Sequence, residues 1–181
     1  MKSLNFLLFL LFFTAINQSF AKTNISIMSI YNFSFTNIDG KSVNLEDFRG
    51  KPLFIVNTAS RCGFTPQYED LQNLFLEYKH TDLTIIATTS NSFNQEYGTA
   101  EEIKKICLVN YDVGFITSSP IKVKGDDAHP MYFWIKSEFD KMPLWNFYKY
   151  LFNRKGKLIG TWSSFTKPSS FLIKRKINSI I

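Results

Sequence analysis

The stretch PLFIVNTASRCGFTPQYEDLQNLFLEY, residues 52–78, joins an apolar run to a helical pattern through a loop that contains a cysteine. The run at 52–59 has no polar alternation, which is typical of a strand buried on both faces of a partly parallel sheet. An amphipathic helix follows, with Thr65 predicted as its N-cap and Pro66 as its first residue. Its apolar positions have helical spacing: Leu71, Leu74, Phe75 and Tyr78.

A second apolar run, 82–89, follows the helix, and this order predicts a right-handed strand-helix-strand crossover. Four further patterns flank the unit. Before it, a hairpin turns at Asp39-Gly40; after it, a helix opens with a capping box of Thr99 and Glu102 and ends near Asn110. A helix then follows Pro130, and two strands joined by 153–157 precede a helix that starts near Pro168. Together they predict an α/β, thioredoxin-like three-layer sandwich, a central mixed β-sheet flanked by helices.

Residues 1–21 have the layout of a secretory signal peptide, with Lys2, an apolar stretch at 6–13 and the small residues Ser19 and Ala21 at the end. The apolar stretch is shorter than the ~20 residues that a membrane span needs. We expect cleavage near Ala21, which would export one domain, 22–181, to the periplasm. An uncleaved membrane anchor is the alternative.

The composition of the 181 residues is that of a globular protein, with 45% hydrophobic residues and a formal net charge of +6. Basic runs at 153–157 and 174–176 are typical of a solvated surface. Aromatic residues alternate with other residues at 147–152, which predicts a half-buried strand rather than a nucleic-acid surface. His80 and His129 have no partners at ligand spacing, so we expect no metal and no other cofactor.

Cys62 and Cys107 leave two interpretations open. In an oxidising compartment two cysteines commonly form a structural disulfide. Cys62, however, lies at the carboxyl end of a strand, where α/β sheets place their sites, between Arg61 and the start of a helix. Because a positive neighbour and a helix N-terminus favour the thiolate, we expect a nucleophile.

The motif NTASRCGFTPQYEDLQ (57–72) resembles the active-site motif of the glutathione peroxidase family in its cysteine form. NSFNQEYGTAEEIKKIC, GDDAHP, LWNFYKYLFNRKGKLIG and SSFTKPSS resemble further family segments in the same order. The resemblance implies a thioredoxin fold and a catalytic tetrad of Cys62, Gln95, Trp145 and Asn146, with Arg61 and Gly63 supporting the cysteine. Neutral N–H donors of this kind stabilise the charge that develops on the leaving oxygen of a peroxide.

One segment departs from the family pattern, because Phe93 is followed by Asn94, Gln95 and Glu96, one residue short of the family's Phe-Gly-x-Gln-Glu. The loop that carries Gln95 is therefore expected to take a different path. The preceding TTSN also lacks a Pro-Cys pair found in many relatives, although Asn91 matches.

Cys107 resembles the resolving cysteine of the subgroup that takes electrons from thioredoxin, although the residues alone also allow an ordinary buried cysteine beside Ile103 and Ile106. A disulfide needs Cα atoms within ~7 Å, so we expect the helix that carries Cys107 to melt during turnover. The short segment between Trp134 and Asn146 lacks a loop of tetrameric relatives, which predicts a monomer or weak dimer reduced by a thioredoxin-like protein or glutathione.

These features predict a thiol peroxidase that reduces hydrogen peroxide and organic or lipid hydroperoxides through a Cys62 sulfenic acid resolved by Cys107. Two other functions stay open. One is an exported redox sensor or relay that passes its disulfide to a client protein. The other is a thioredoxin-fold binding module that has lost activity, which only the short Gln95 loop favours.

Overall fold

The chain begins its described part with a short hairpin that covers one side of the domain. The structure, a computed structural model, describes residues 28–181, so the predicted signal peptide lies outside the described residues. Strands β1 (Ser34–Thr36) and β2 (Ser42–Asn44) pair antiparallel. The predicted turn at Asp39-Gly40 is confirmed, and Gly40 supplies the positive φ of +78° that the turn needs.

Five strands form the central sheet, and the predicted mixed sheet is confirmed. Its order is β5-β4-β3-β6-β7, in which β3 pairs parallel with β4, β4 parallel with β5, and β6 antiparallel with both β3 and β7. The strand bounds are β3 Leu53–Thr58, β4 Thr84–Thr89, β5 Ile116–Thr117, β6 Lys149–Phe152 and β7 Leu158–Trp162.

Helices lie on both faces of this sheet. Their bounds are α1 Gln67–Tyr78, α2 Ala100–Lys105, α3 Pro130–Phe139 and α4 Phe171–Asn178, with 3₁₀ turns at Ile30–Asn32 and Leu45–Phe48 and a π-helical turn at Ile106–Asn110. The capping box is confirmed, since the Thr99 hydroxyl accepts from the Glu102 N–H and the Glu102 carboxylate accepts from the Thr99 N–H. His129 caps α3 through its ring, as a helix-start residue should.

Two hydrophobic clusters make the fold three layers deep. One face of the sheet packs against α1, α2 and α4 through Leu71, Leu74, Ile103, Ile173 and Ile177. The other face packs against α3 and the N-terminal segment through Met131, Tyr132, Ile135, Tyr31 and Phe35. Among residues 28–181 no helix has the length and apolarity that crossing a membrane requires.

Two local predictions about helix starts are wrong. Thr65 does not cap α1, because its hydroxyl accepts from the Cys62 N–H and donates to the Ala59 carbonyl. The chain makes tight turns through residue 66, and α1 begins only at Gln67. The C-terminal helix begins at Phe171, after a turn in which the Ser170 N–H bonds the Lys167 carbonyl, rather than near Pro168.

The strand predicted at 147–152 is present as β6, but the prediction that it is half-buried is wrong. All four residues of β6 are buried, including Lys149, which has no exposed surface. The physical reason is the position of β6 between β3 and β7, where helices cover both faces. Its alternation in the sequence therefore reflects two buried environments and not one solvated face.

Candidate active site

Cys62 lies in the turn between the carboxyl end of β3 and α1, as predicted. Its thiol is 6% exposed, and the Phe64 N–H points at its sulfur with a donor–acceptor distance of 3.4 Å. The turn is closed by bonds from the Thr65 N–H to the Cys62 carbonyl, 2.9 Å, and from the Cys62 N–H to the Thr65 hydroxyl, 3.0 Å. A backbone donor aimed at the sulfur stabilises a thiolate.

The two predicted supporting residues act differently from one another. The Arg61 guanidinium lies 5.5 Å from the centre of the Tyr97 ring, and among the described residues it makes no hydrogen bond to the Cys62 sulfur. Its backbone N–H instead bonds the Gln95 carbonyl at 2.9 Å, which joins the two loops. A Cβ added at Gly63 would meet no atom within 4 Å, so Gly63 faces open space.

Gln95 reaches the site in spite of its short loop. Asn94 adopts a left-handed conformation, φ 58°, and its N–H bonds the Asn91 carbonyl at 2.9 Å. Asn tolerates this conformation better than most residues, and here it allows a tight turn directly before Gln95. The Gln95 carbonyl accepts from the Arg61 N–H of the cysteine loop, and the Gln95 side chain meets Asn146.

Trp145 and Asn146 lie directly before β6. The Asn146 amide Nδ2 donates to Gln95 Oε1 at 3.0 Å, while its own Oδ1 is buried without a partner in the described residues. Trp145 is 41% exposed, and its ring centre lies 5.2 Å from that of the buried Phe93. The structure therefore gathers Cys62, Gln95, Trp145 and Asn146 at one edge of the sheet.

Asn57, which sequence reasoning missed, holds the Trp145-Asn146 turn in place. It is fully buried in β3, donates from Nδ2 to the Trp145 carbonyl at 3.0 Å, and accepts at Oδ1 from the Tyr148 N–H at 2.9 Å. The turn needs this support because Phe147 has a φ of 63°, which is strained for a bulky residue. The sequence feature that could have indicated this role is the presence of an asparagine inside the apolar run at 52–59.

Glu96 is a second missed residue, and it lies beneath the cysteine loop. It is 5% exposed, and its Oε1 accepts from the Ser60 N–H at 3.0 Å and the Tyr97 N–H at 2.9 Å. Burial raises the pKa of this carboxyl, and the two N–H donors oppose the shift. Its Oε2 is buried without a partner among the described residues. Glu96 thus ties the segment before Cys62 to the loop that carries Gln95.

Lys149 is the third missed residue, a buried amine behind Asn146. Its Nζ donates to Gln67 Oε1 at 2.7 Å and to the Ser163 carbonyl at 3.3 Å. Gln67 Nε2 donates to the Ser164 carbonyl, and the Ser164 hydroxyl donates to the Asn146 carbonyl, each at 2.6 Å. Burial lowers the pKa of Lys149 to about 7. This network connects the start of α1 to the Asn146 backbone.

Cys107 lies on the π-helical turn after α2, 2% exposed, in the same core cluster as Cys62. The two cysteines are not bonded to one another, so the structure holds the dithiol form and not the structural disulfide. Burial raises the pKa of the Cys107 thiol to about 11, against a smaller opposing effect of the Tyr68 hydroxyl. In the folded helix this thiol is therefore protonated at neutral pH.

Metal-ligating side chains do not cluster within residues 28–181: no three His, Cys, Asp or Glu residues come together there. His129 bonds the Ser34 carbonyl through Nε2 at 3.0 Å. The described site offers one thiol, amide and indole donors and a buried second thiol, a set suited to thiol redox chemistry.

Comparison with known proteins identifies the family of this chain. The family model for glutathione peroxidase matches residues 30–136. A glutathione peroxidase of Lactococcus lactis subsp. cremoris is 40% identical over 146 residues, which cover 78% of this chain and 93% of that protein. The chain belongs to the glutathione peroxidase family.

Two further family relatives extend the comparison. A hydroperoxy fatty acid reductase of Synechocystis sp. is 39% identical over 151 residues, covering 77% of this chain and 89% of that protein. The crystal structure of Trgpx in its apo form superposes with a TM-score of 0.68 at 33% identity, covering 84% of this chain and 95% of that one. The thioredoxin-like α/β fold is thereby confirmed, and this glutathione peroxidase homologue is a thiol peroxidase, an oxidoreductase that acts on peroxides.

Proposed function

We propose that Cys62 is the peroxidatic nucleophile of this thiol peroxidase. Its thiolate sulfur attacks one oxygen of the hydroperoxide, the O–O bond breaks, and the sulfur is oxidised to the sulfenic acid. The other oxygen leaves as alkoxide or hydroxide and takes a proton to give alcohol or water. The Phe64 N–H on the sulfur, 3.4 Å away, is the observation that carries this assignment.

The tetrad residues stabilise the leaving oxygen in this proposal. Because Gln95 Oε1 already accepts from Asn146, the Gln95 amide N–H groups are left to donate elsewhere. The indole N–H of Trp145 is a further neutral donor beside it. Preorganised donors of this type lower the barrier without the reorganisation that water would need.

Cys107 resolves the sulfenic acid in the next step. Its thiolate attacks the Cys62 sulfur, a disulfide forms, and the hydroxyl leaves as water after taking a proton. A thiol with a pKa of about 11, buried in a helix, is a poor nucleophile where it stands. The π-helical turn at Ile106–Asn110 is a weak point of that helix, so we infer that α2 and this turn open to release Cys107.

The substrate range includes bulky organic and lipid hydroperoxides. Three large apolar side chains stand exposed around the site: Leu144 at 77%, Trp145 at 41% and Phe165 at 85%. Phe165 packs edge-on against Phe64, the residue whose N–H faces the Cys62 sulfur, with ring centres 5.4 Å apart. The similarity to a hydroperoxy fatty acid reductase supports the same range.

The reductant and the location complete the proposal. A disulfide between Cys62 and Cys107 calls for a dithiol reductant of the thioredoxin type, with glutathione as the alternative. The signal-peptide pattern of 1–21 supports export to the periplasm, so the reductant would be a periplasmic one. We propose a monomer or weak dimer in that compartment.

A peroxide-consumption assay of the purified protein, run with a thioredoxin system and with glutathione side by side, tests this function. We expect turnover with the thioredoxin system that Cys62→Ser abolishes. Cys107→Ser should support a single turnover and then overoxidise. Negligible turnover with a trapped mixed disulfide to another protein would instead favour the redox relay.

Amide hydrogen exchange tests the opening of α2. The oxidised protein should exchange the amides of Ala100–Lys105 faster than the reduced protein, while Cys107→Ser, which cannot form the disulfide, shows no such change. Equal exchange in the two forms of the wild type would contradict the proposed opening.

A further inference from the structure

A cavity lies close to Phe93, whose ring contacts both Lys124 of the cavity lining and Trp145. Its volume is about 550 Å³, and it lies between the loop after β4 and the segment 120–127. Hydrogen bonds from the Val123 N–H to the Ser92 hydroxyl, 3.0 Å, and from the Ile121 N–H to the Thr89 carbonyl, 2.9 Å, hold its two walls together. These two hydrogen bonds therefore hold the walls of the cavity in place relative to one another.

The charged lining of this cavity has a net positive charge. It consists of Lys122, Lys124 and Asp127. Lys122 and Asp127 form an ion pair with one another, whereas Lys124 forms none within the described residues. The Lys124 ammonium lies 4.3 Å from the centre of the Phe93 ring, and this cation–π contact holds it at the cavity wall. An anionic group in the cavity would meet one uncompensated cation.

Apolar side chains extend from this cation to Trp145. Pro120 and Ile121 line the cavity itself. Phe93 contacts Lys124 and also Trp145, whose ring centre is 5.2 Å from that of Phe93 and which is 41% exposed. A ligand with an anionic head and an apolar tail would thus find the charge in the cavity and the apolar surface beside the reactive centre.

We propose that this cavity binds the carboxylate of a long-chain fatty-acid hydroperoxide, with Lys124 as its partner, so that the acyl chain crosses Trp145 towards Cys62. The proposal rests on the peroxidase function proposed above and adds the recognition of a charged head group. Lys124 is a specificity-determining residue in it and takes no part in breaking the O–O bond.

Matched substrates test the proposal with the full-length protein. Linoleic acid hydroperoxide and its methyl ester differ only in the charge of the head group, and hydrogen peroxide has no head group. Because an exposed charge pair is worth at most about 1 kcal/mol, Lys124→Gln should raise KM for the acid about two- to fivefold. KM for the ester, turnover of hydrogen peroxide and the results for the control Lys155→Gln should not change.

Three outcomes would overturn the proposal: equal KM for acid and ester in the wild type, an equal effect of Lys124→Gln on both, or a rise in KM for glutathione alone, which would assign the cavity to the reductant. A binding measurement separates this question from the peroxidase function. Decanoate should shift the Trp145 indole resonance of Cys62→Ser more than decanol does, and Lys124→Gln should remove that difference. If hydrogen peroxide is not consumed, the proposed function fails while this binding test still decides the inference.

Discussion

Asn146 donates a hydrogen bond of 3.0 Å from its Nδ2 to Gln95 Oε1, although 51 positions separate the two residues in the chain. The bond occupies the Gln95 amide oxygen and leaves the Gln95 N–H groups to donate elsewhere, as the proposed stabilisation of the leaving oxygen requires. Asn146 itself is fully buried, so it acts on the site mainly through Gln95.

Replacement of Asn146 should therefore lower the rate of Cys62 oxidation more than it lowers the stability of the site. We expect Asn146→Ala to lower the second-order rate of Cys62 oxidation about 100-fold, because it releases the Gln95 amide from its position and a small misplacement of a catalytic group can cost this much. Stopped-flow measurement with hydrogen peroxide checks this. Asn73→Ala, on an exposed position of α1, is the control and should leave the rate unchanged. A loss below threefold for Asn146→Ala would show that Gln95 is oriented without it.

Glu96 should respond differently to two substitutions. Glu96→Ala leaves the buried N–H groups of Ser60 and Tyr97 without an acceptor, so the free energy of unfolding should fall by about 1–3 kcal/mol and the rate of Cys62 oxidation should fall with it. Glu96→Gln keeps an acceptor and should preserve both. Chemical denaturation measures the first effect, and equal destabilisation by both variants would contradict this role.

Glu96 also makes stability depend on pH. Its carboxyl has a raised pKa in the folded state, so between the unfolded value and the folded one the folded protein binds more protons than the unfolded one. The free energy of unfolding should fall as the pH rises through that interval. In Glu96→Gln this fall should be absent, which denaturation of both proteins across the mildly acidic range would measure.

Lys149 should produce a pH dependence of the opposite sign. Its pKa is about 7 in the folded state, below the unfolded value, so above pH ~7 the unfolded chain binds more protons and the free energy of unfolding should rise with pH. The rise relative to Lys149→Met should approach about 1.4 kcal/mol per pH unit between pH 7 and 8.5, and Cys107, present in both proteins, affects both equally. Lys155→Met, on the surface, should follow the wild type. A flat difference would mean that Lys149 stays charged.

Phe93 should control the position of Trp145. Phe93→Leu removes the ring that packs 5.2 Å from the indole, so Trp145 fluorescence should shift to longer wavelength and the rate of Cys62 oxidation should fall several-fold. The matched control is Phe133→Leu, since Phe133 is 54% exposed on α3. If Phe93→Leu left both fluorescence and rate unchanged, Trp145 would be held by other contacts.

The fold could be predicted from local patterns because those patterns follow backbone hydrogen bonding. The apolar runs at 52–59 and 82–89 correspond to β3 and β4, and the capping box at Thr99 opens α2. Errors appeared where a side chain bonds outside its own element. Thr65 has the right type and position for an N-cap, but its hydroxyl closes the Cys62 turn instead.

The candidate site divides in the same way. Cys62 could be predicted from its place after a strand and before a helix, and the family motif supplied Gln95, Trp145 and Asn146. Asn57 and Lys149 could not be recognised as parts of the site, because a polar residue inside an apolar run carries no local sign of its partner. Their partners lie 88 and 82 positions away in the chain.

The sequence by itself determined the order of strands and helices, the placement of a cysteine at the carboxyl end of a strand, and membership of a peroxidase family. Only the tertiary structure decided that Lys149 is buried, that Glu96 ties two loops together and that Lys124 of a surface cavity lies against the Phe93 ring. The physical reason is that burial depends on which strands are neighbours. The order β5-β4-β3-β6-β7 places β6 between two strands, and the packing on the two faces of the sheet buries it. No local pattern in the chain indicates that order.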